Sequence, residues 1–63
     1  MLENRMTVIG FLRSVLLGMF NDDDGIGEVY SSDDPEKYRG VMISPSRIKD
    51  IPDDATHIIW YNK

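Results

Sequence analysis

The chain contains no cysteine, so neither a disulfide nor a thiolate metal site can staple it. A chain of that kind suits a reducing, cytoplasmic setting. Basic residues are in the minority, with 7 lysines and arginines against 11 aspartates and glutamates and a net charge of −4. Such a chain repels nucleic-acid phosphates, so no direct nucleic-acid binding is expected, whereas its field attracts basic protein surfaces. A long apolar run is also missing. The most apolar stretch, Met6–Phe20, is interrupted by Arg13. As a helix it would measure roughly 22 Å, against ~30 Å of bilayer hydrocarbon, and a central arginine would cost at least ~2.5 kcal/mol there. A secretory leader needs a basic first segment and a small-residue cleavage site. Met1–Arg5 holds one acid and one base, and Asp22-Asp23-Asp24-Gly25 follows the apolar run. Neither a membrane span nor a leader is expected.

What is present is enough for one small domain, residues 1–63. Apolar residues make up 41% of the chain, which supports one core but not a core and a deep private pocket. For chains this short, burial barely offsets the ordering entropy of about 1.5 kcal/mol per residue. Without covalent staples, stability must come from dense packing, self-association or a partner.

The spacing predicts a helix from Asn4 to Phe20, with Asn4 as its cap. Met6, Val8, Ile9, Phe11, Leu12, Val15, Leu16, Leu17, Met19 and Phe20 fall on an apolar arc wider than an ordinary surface helix shows. Gly10, Ser14 and Gly18 recur at four-residue spacing on the narrow opposite side. Thr7-Val8-Ile9 is the alternative start of a strand. Asn21–Gly25 ends the helix. Ile26–Ser32 and Tyr38–Ser44 read as strands around an acidic turn at Asp33-Asp34-Pro35-Glu36-Lys37. Ser44–Lys49 fits one helical turn with Pro45 at its first position, and Ile51–Ala55 a further turn. Thr56–Tyr61, β-branched and aromatic, is the clearest strand. The expected fold class is α+β: one N-terminal helix on a three-stranded antiparallel sheet, in the order α-β-β-β.

The residues offer little chemistry. Nucleophilic catalysis requires a nucleophile, a base and a group that orients the base. His57 is the only histidine and falls inside a predicted strand, so no catalytic residue is assigned and no enzyme is expected. Asn21–Gly25 has a partial calcium-loop pattern. With Gly25 at the sixth position, Asp22 and Asp24 take the third and fifth, but the first would be Phe20 and the twelfth Ser31, so anchoring ligands are missing. Gly25-Ile26-Gly27 lacks the lysine and the strand-then-helix context of a phosphate loop. No cofactor or metal is expected.

Two features point toward binding. Residues 21–36 hold Asp22, Asp23, Asp24, Glu28, Asp33, Asp34 and Glu36 with no base among them. Presented together, they match a basic surface on another protein. Solvation of loops is the ordinary use of such charges. Lys37, Arg39, Arg47 and Lys49 follow and dilute the field. Trp60 and Tyr61 point to opposite faces of one strand, so one is expected to help fill the core and the other to be exposed, as aromatics at binding hot spots are; core or edge packing of both is the ordinary alternative. The second feature is the helix. Gly10, Phe11, Ser14, Leu17 and Gly18 are candidates for self-association, because small residues on a stripe permit close approach and a three-stranded sheet cannot cover so wide an arc.

The functional expectation is a non-enzymatic interaction module, a small acidic inhibitor or regulator that occludes a basic site on a larger protein. In size and charge alone it resembles the small acidic inhibitors that viruses of bacteria direct at host proteins; no motif carries that likeness. The alternative is a homo-oligomeric accessory protein, a homodimer for instance, assembled through the Met6–Phe20 helix.

Overall fold

A computed structural model describes residues 3–63, and Met1 and Leu2, part of the segment read for a leader, lie outside the described residues. The elements are β1 (Glu3–Thr7), α1 (Val8–Leu16), β2 (Gly25–Tyr30), β3 (Met42–Ile43), a 3-10 helix (Pro45–Asp50) and β4 (His57–Asn62). The class is α+β, as expected, but the sheet has four strands rather than three, in the order β1-β4-β2-β3. All three pairings are antiparallel. β1 and β2 therefore run in the same direction with β4 inserted between them, a split β-α-β crossover.

The extra strand corrects the expected helix start. Residues 3–7 are extended because each pairs with β4, from Glu3 opposite Tyr61 to Thr7 opposite His57. Thr7, not Asn4, caps α1: its Oγ1 accepts a hydrogen bond from Gly10 N at 3.0 Å. The Val8 N–H donates to the Thr56 carbonyl at 3.2 Å, which satisfies a further free donor of the first turn. The helix also stops earlier than expected. Gly18, at φ +78°, follows the C-cap Leu17. Gly18 N donates to Val15 O at 3.0 Å and Met19 N to Ser14 O at 2.9 Å. This paired pattern closes a helix on a left-handed residue.

α1 covers one face of the sheet. On that face Asn4 and Met6 of β1 stand opposite Trp60 and Ile58 of β4, which stand opposite Gly27 and Val29 of β2. Phe11, Val29, Ile43, Ile58 and Trp60 form the buried core, with Met6, Val8, Val15, Phe20, Tyr38, Ile48, Ile51 and Ala55 packed around it. Gly27 is needed for close approach: a Cβ there would lie 2.7 Å from Ile58 Cγ2 and 3.7 Å from Phe11 Cζ. Phe20, brought back by the turn after α1, completes an aromatic cluster with Phe11 and Trp60.

The second hairpin strand is shorter than expected. Between Asp34 and Val41 the chain makes successive turns, with Lys37 N bonded to Asp34 O and Val41 N to Tyr38 O. Of the expected strand, Met42 and Ile43 pair with β2, and Val41 O accepts from Val29 N at 2.9 Å just before them. The 3-10 helix follows as read, with Ser44 as N-cap and Pro45 in its first turn, although the Ser44 side chain makes no capping bond.

Candidate functional site

Two surfaces remain open once the core is formed. The first lies at the exit of α1. Ile9, in the first turn of α1, is 68% exposed, and at the exit Leu16, Leu17 and Met19 are between 64 and 79% exposed. Beside them is a cleft of about 300 Å³ lined by Val15, Phe20, Asn21, Asp22, Asp23, Pro45 and Ser46. Its floor is apolar, from Val15, Phe20 and the buried Pro45. Its polar lining includes the carboxylates of Asp22 and Asp23, and the cations of Lys63 and Arg47 lie near enough to Asp22 to help hold it charged.

The walls of this cleft are tied together by Asp22. One carboxylate oxygen accepts from Ser46 N at 2.9 Å and the other from Ser46 Oγ at 2.7 Å. These bonds favour the charged carboxylate, and the Ser46 hydroxyl followed by its N–H holds Asp22 below the ordinary carboxylate range. The turn before it closes on itself, with Asn21 N donating to Asp24 Oδ2 and Asp24 N to Asn21 O, both at 2.9 Å. Asp23, between two committed aspartates, is exposed and makes no hydrogen bond or ion pair among the described residues.

The second open surface is the sheet face away from α1. Across it run the rows Arg5–Ile59–Glu28–Met42 and Thr7–His57–Tyr30. Arg5 lies over the Tyr30 ring at 4.6 Å, and His57 meets the same ring edge-on. Glu28 accepts from Gly40 N at 2.8 Å and Tyr61 Oη at 2.9 Å. The Gly40 N–H, then the Tyr61 hydroxyl, lowers its pKa. The loop carrying Pro35, Glu36 and Arg39 partly roofs this face and leaves a smaller hollow of about 190 Å³.

The seven acids of residues 21–36 are thus not brought onto one surface. Asp22 and Asp23 edge the cleft on the helix side, whereas Glu28 stands on the opposite sheet face. Asp22, Asp24 and Glu28 fasten the chain to itself, and Glu36 pairs with Arg39 at 3.2 Å. Asp33 and Asp34 are exposed near the hairpin tip, and their carboxylates have no partner among the described residues. Of the two aromatic candidates, Trp60 has no exposed surface and donates from its indole to Asn62 Oδ1 at 2.9 Å. Tyr61 is half-buried on the other face.

The helix candidates divide in the same way. Phe11 is fully buried, so it serves the core. Gly10 and Ser14 are half-buried, and Ser14 Oγ donates to Gly10 O at 2.9 Å. Leu17 and Gly18 are exposed at the helix exit. Sequence reasoning missed Asp54, which accepts from Lys37 Nζ at 2.6 Å and from the Tyr38 hydroxyl and ties the hairpin loop to the turn before β4. It also missed Pro45 and Ser46 as cleft walls, since nothing in their local pattern announces a partner 24 residues away.

For chemistry the structure offers little. His57 Nδ1 lies 2.8 Å from Thr56 Oγ1, and that hydroxyl also accepts from Ser32 N. Among the described residues, no group of three or more His, Asp or Glu side chains gathers as a metal site, and no helix is long and apolar enough to cross a membrane. Compared with protein-family models, with curated proteins and with solved structures, the chain has no match.

Proposed function

We propose that this chain is a non-enzymatic protein-interaction module of the cytoplasm, a small acidic inhibitor or regulator that occludes a basic site on a larger protein. The observation that carries the reading is the apolar surface at the exit of α1. Leu16, Leu17 and Met19 stand mostly in solvent next to a cleft rimmed by Asp22 and Asp23. Apolar side chains supply binding energy when a partner excludes water from them. The carboxylates, with Asp33 and Asp34 on the hairpin, raise the rate of encounter with a basic surface.

The test is capture from cells of the source organism with the intact chain and with a Leu16→Glu/Met19→Glu variant. Both positions are exposed, so the variant keeps its core. A protein retained by the intact chain and lost by the variant is the expected result. Equal retention by both, or no retained protein, rejects the reading.

One observation favours a second reading, a homo-oligomer built on the same helix. Ile9 and Leu16 lie two turns apart on one stripe of α1, and both are exposed. Sedimentation across micromolar concentrations separates the two ideas. A mass that rises with concentration and reverts in Leu16→Glu favours self-assembly, whereas a constant monomer mass removes it.

A further inference from the structure

The cleft itself defines the chemistry of an occupant. We propose that it receives a basic–apolar segment of a partner protein. One aliphatic or aromatic side chain sits on Val15, Phe20 and Pro45, and a neighbouring lysine or arginine lies beside Asp23. This assignment rests on the interaction-module reading and adds what the partner must present.

Three observations support it. First, the hollow, shallow and open to solvent, has room for a side chain at about 300 Å³. Waters over an apolar floor are poorly held, and an apolar group that displaces them gains affinity. Second, the charge of the lining itself is negative, while Lys63 and Arg47 stand outside the lining near Asp22. Asp22 and Asp23 line the cleft; Lys63 and Arg47 offset part of the Asp22 charge, so the attraction for a cation centres on Asp23. Third, the two carboxylates are not equivalent. Asp22 spends both oxygens on Ser46, which fixes the walls, while Asp23 is left unengaged beside it. One unengaged carboxylate suits a single ammonium or guanidinium group. It does not suit a calcium ion, which takes six to eight oxygens.

The test uses the full 15N-labelled chain and a capped peptide of sequence Gly-Lys-Leu-Lys-Gly. Two control peptides replace lysine by glutamate or leucine by glycine. The expected result is a set of amide shifts at Phe20, Asn21, Asp23 and Ser46 with the lysine–leucine peptide, and much smaller shifts with either control. Asp23→Asn should weaken binding by about twofold to fivefold, the worth of one exposed ion pair, and added salt should do the same. Equal shifts from the controls, shifts elsewhere only, or no effect of Asp23→Asn would overturn the assignment. Shifts of these amides on dilution without peptide would name a second copy as the occupant and also overturn it. If the cleft ignores the peptide while the captured protein is still lost by Leu16→Glu/Met19→Glu, the interaction reading stands and the cleft assignment falls.

Discussion

The Phe20 ring lies 4.5 Å, centroid to centroid, from the indole of Trp60 and closes the core from outside the helix. Phe20 reaches that position only because α1 ends at a left-handed glycine and the chain folds back. Removing the ring leaves Trp60 without its outer cover. Phe20→Ala should cost about 2 kcal/mol, less than a fully buried phenylalanine because Phe20 is only partly enclosed. Urea unfolding followed by Trp60 fluorescence reads this directly. The native emission of the variant should also shift to the red, as water reaches the indole. An unchanged native spectrum would mean that Phe20 does not shield it.

Gly27→Ala tests the packing of α1 on the sheet. The added methyl would stand 2.7 Å from Ile58 Cγ2, with Phe11 behind it. Overpacking of this kind costs about 1–3 kcal/mol. The expected change is a lower urea midpoint with an unchanged slope. A midpoint equal to that of the parent chain would show that the helix and Ile58 give way at no cost.

Acid stability follows from three carboxylates. Asp22 is held charged by Ser46, Glu28 by Gly40 and Tyr61, and Asp54 by Lys37 and Tyr38, so each has a lowered pKa. A lowered folded-state pKa means that the unfolded chain binds more protons across the interval between the two values. Stability therefore rises with pH there. The contribution is fully present above the ordinary carboxylate range of about 4 and is lost as pH falls through the depressed values. The Tm should be flat from about pH 7 to 5 and fall below about 4. At the alkaline end, Lys37 and Tyr38 are raised by their hydrogen bonds to Asp54. That clasp persists below about pH 10 and is lost as pH rises through the raised values. A melting scan across pH checks both limbs. A Tm that already declines between pH 7 and 5 contradicts the acid limb.

Asp22 and Asp23 separate structure from binding. Asp22→Asn removes a charge that two Ser46 donors favour, so the urea midpoint should fall. Asp23→Asn should leave it where it is, since Asp23 has no bond to lose among the described residues. Equal effects of the two changes would contradict that division.

Much of the architecture was legible locally. β4 announced itself by β-branched and aromatic residues, and the Pro45 turn by its proline. β2 was legible because turn residues flank it. β1 was not. Its sequence Glu-Asn-Arg-Met-Thr is polar, and the apolar periodicity of α1 runs back through Met6. Asn4 and Thr7 are both good caps, and only pairing with β4, more than 50 residues away, decides between them. The helix end was misplaced because Leu17, Met19 and Phe20 keep the apolar arc going past Gly18. The acid block was legible as a charge but not as a surface. Which carboxylate meets Ser46 or Gly40 depends on contacts across the whole fold.

The placement of β4 between β1 and β2 has a consequence for biosynthesis. Residues 57–62 follow β1, β2 and β3 in sequence and so leave the ribosome after them, yet they join both halves of the sheet. Until they emerge, β1 has no neighbour and β2 has only the two-residue β3. Until then Phe11, Val29 and Ile43 lack the Ile58 and Trp60 side chains with which they form the core.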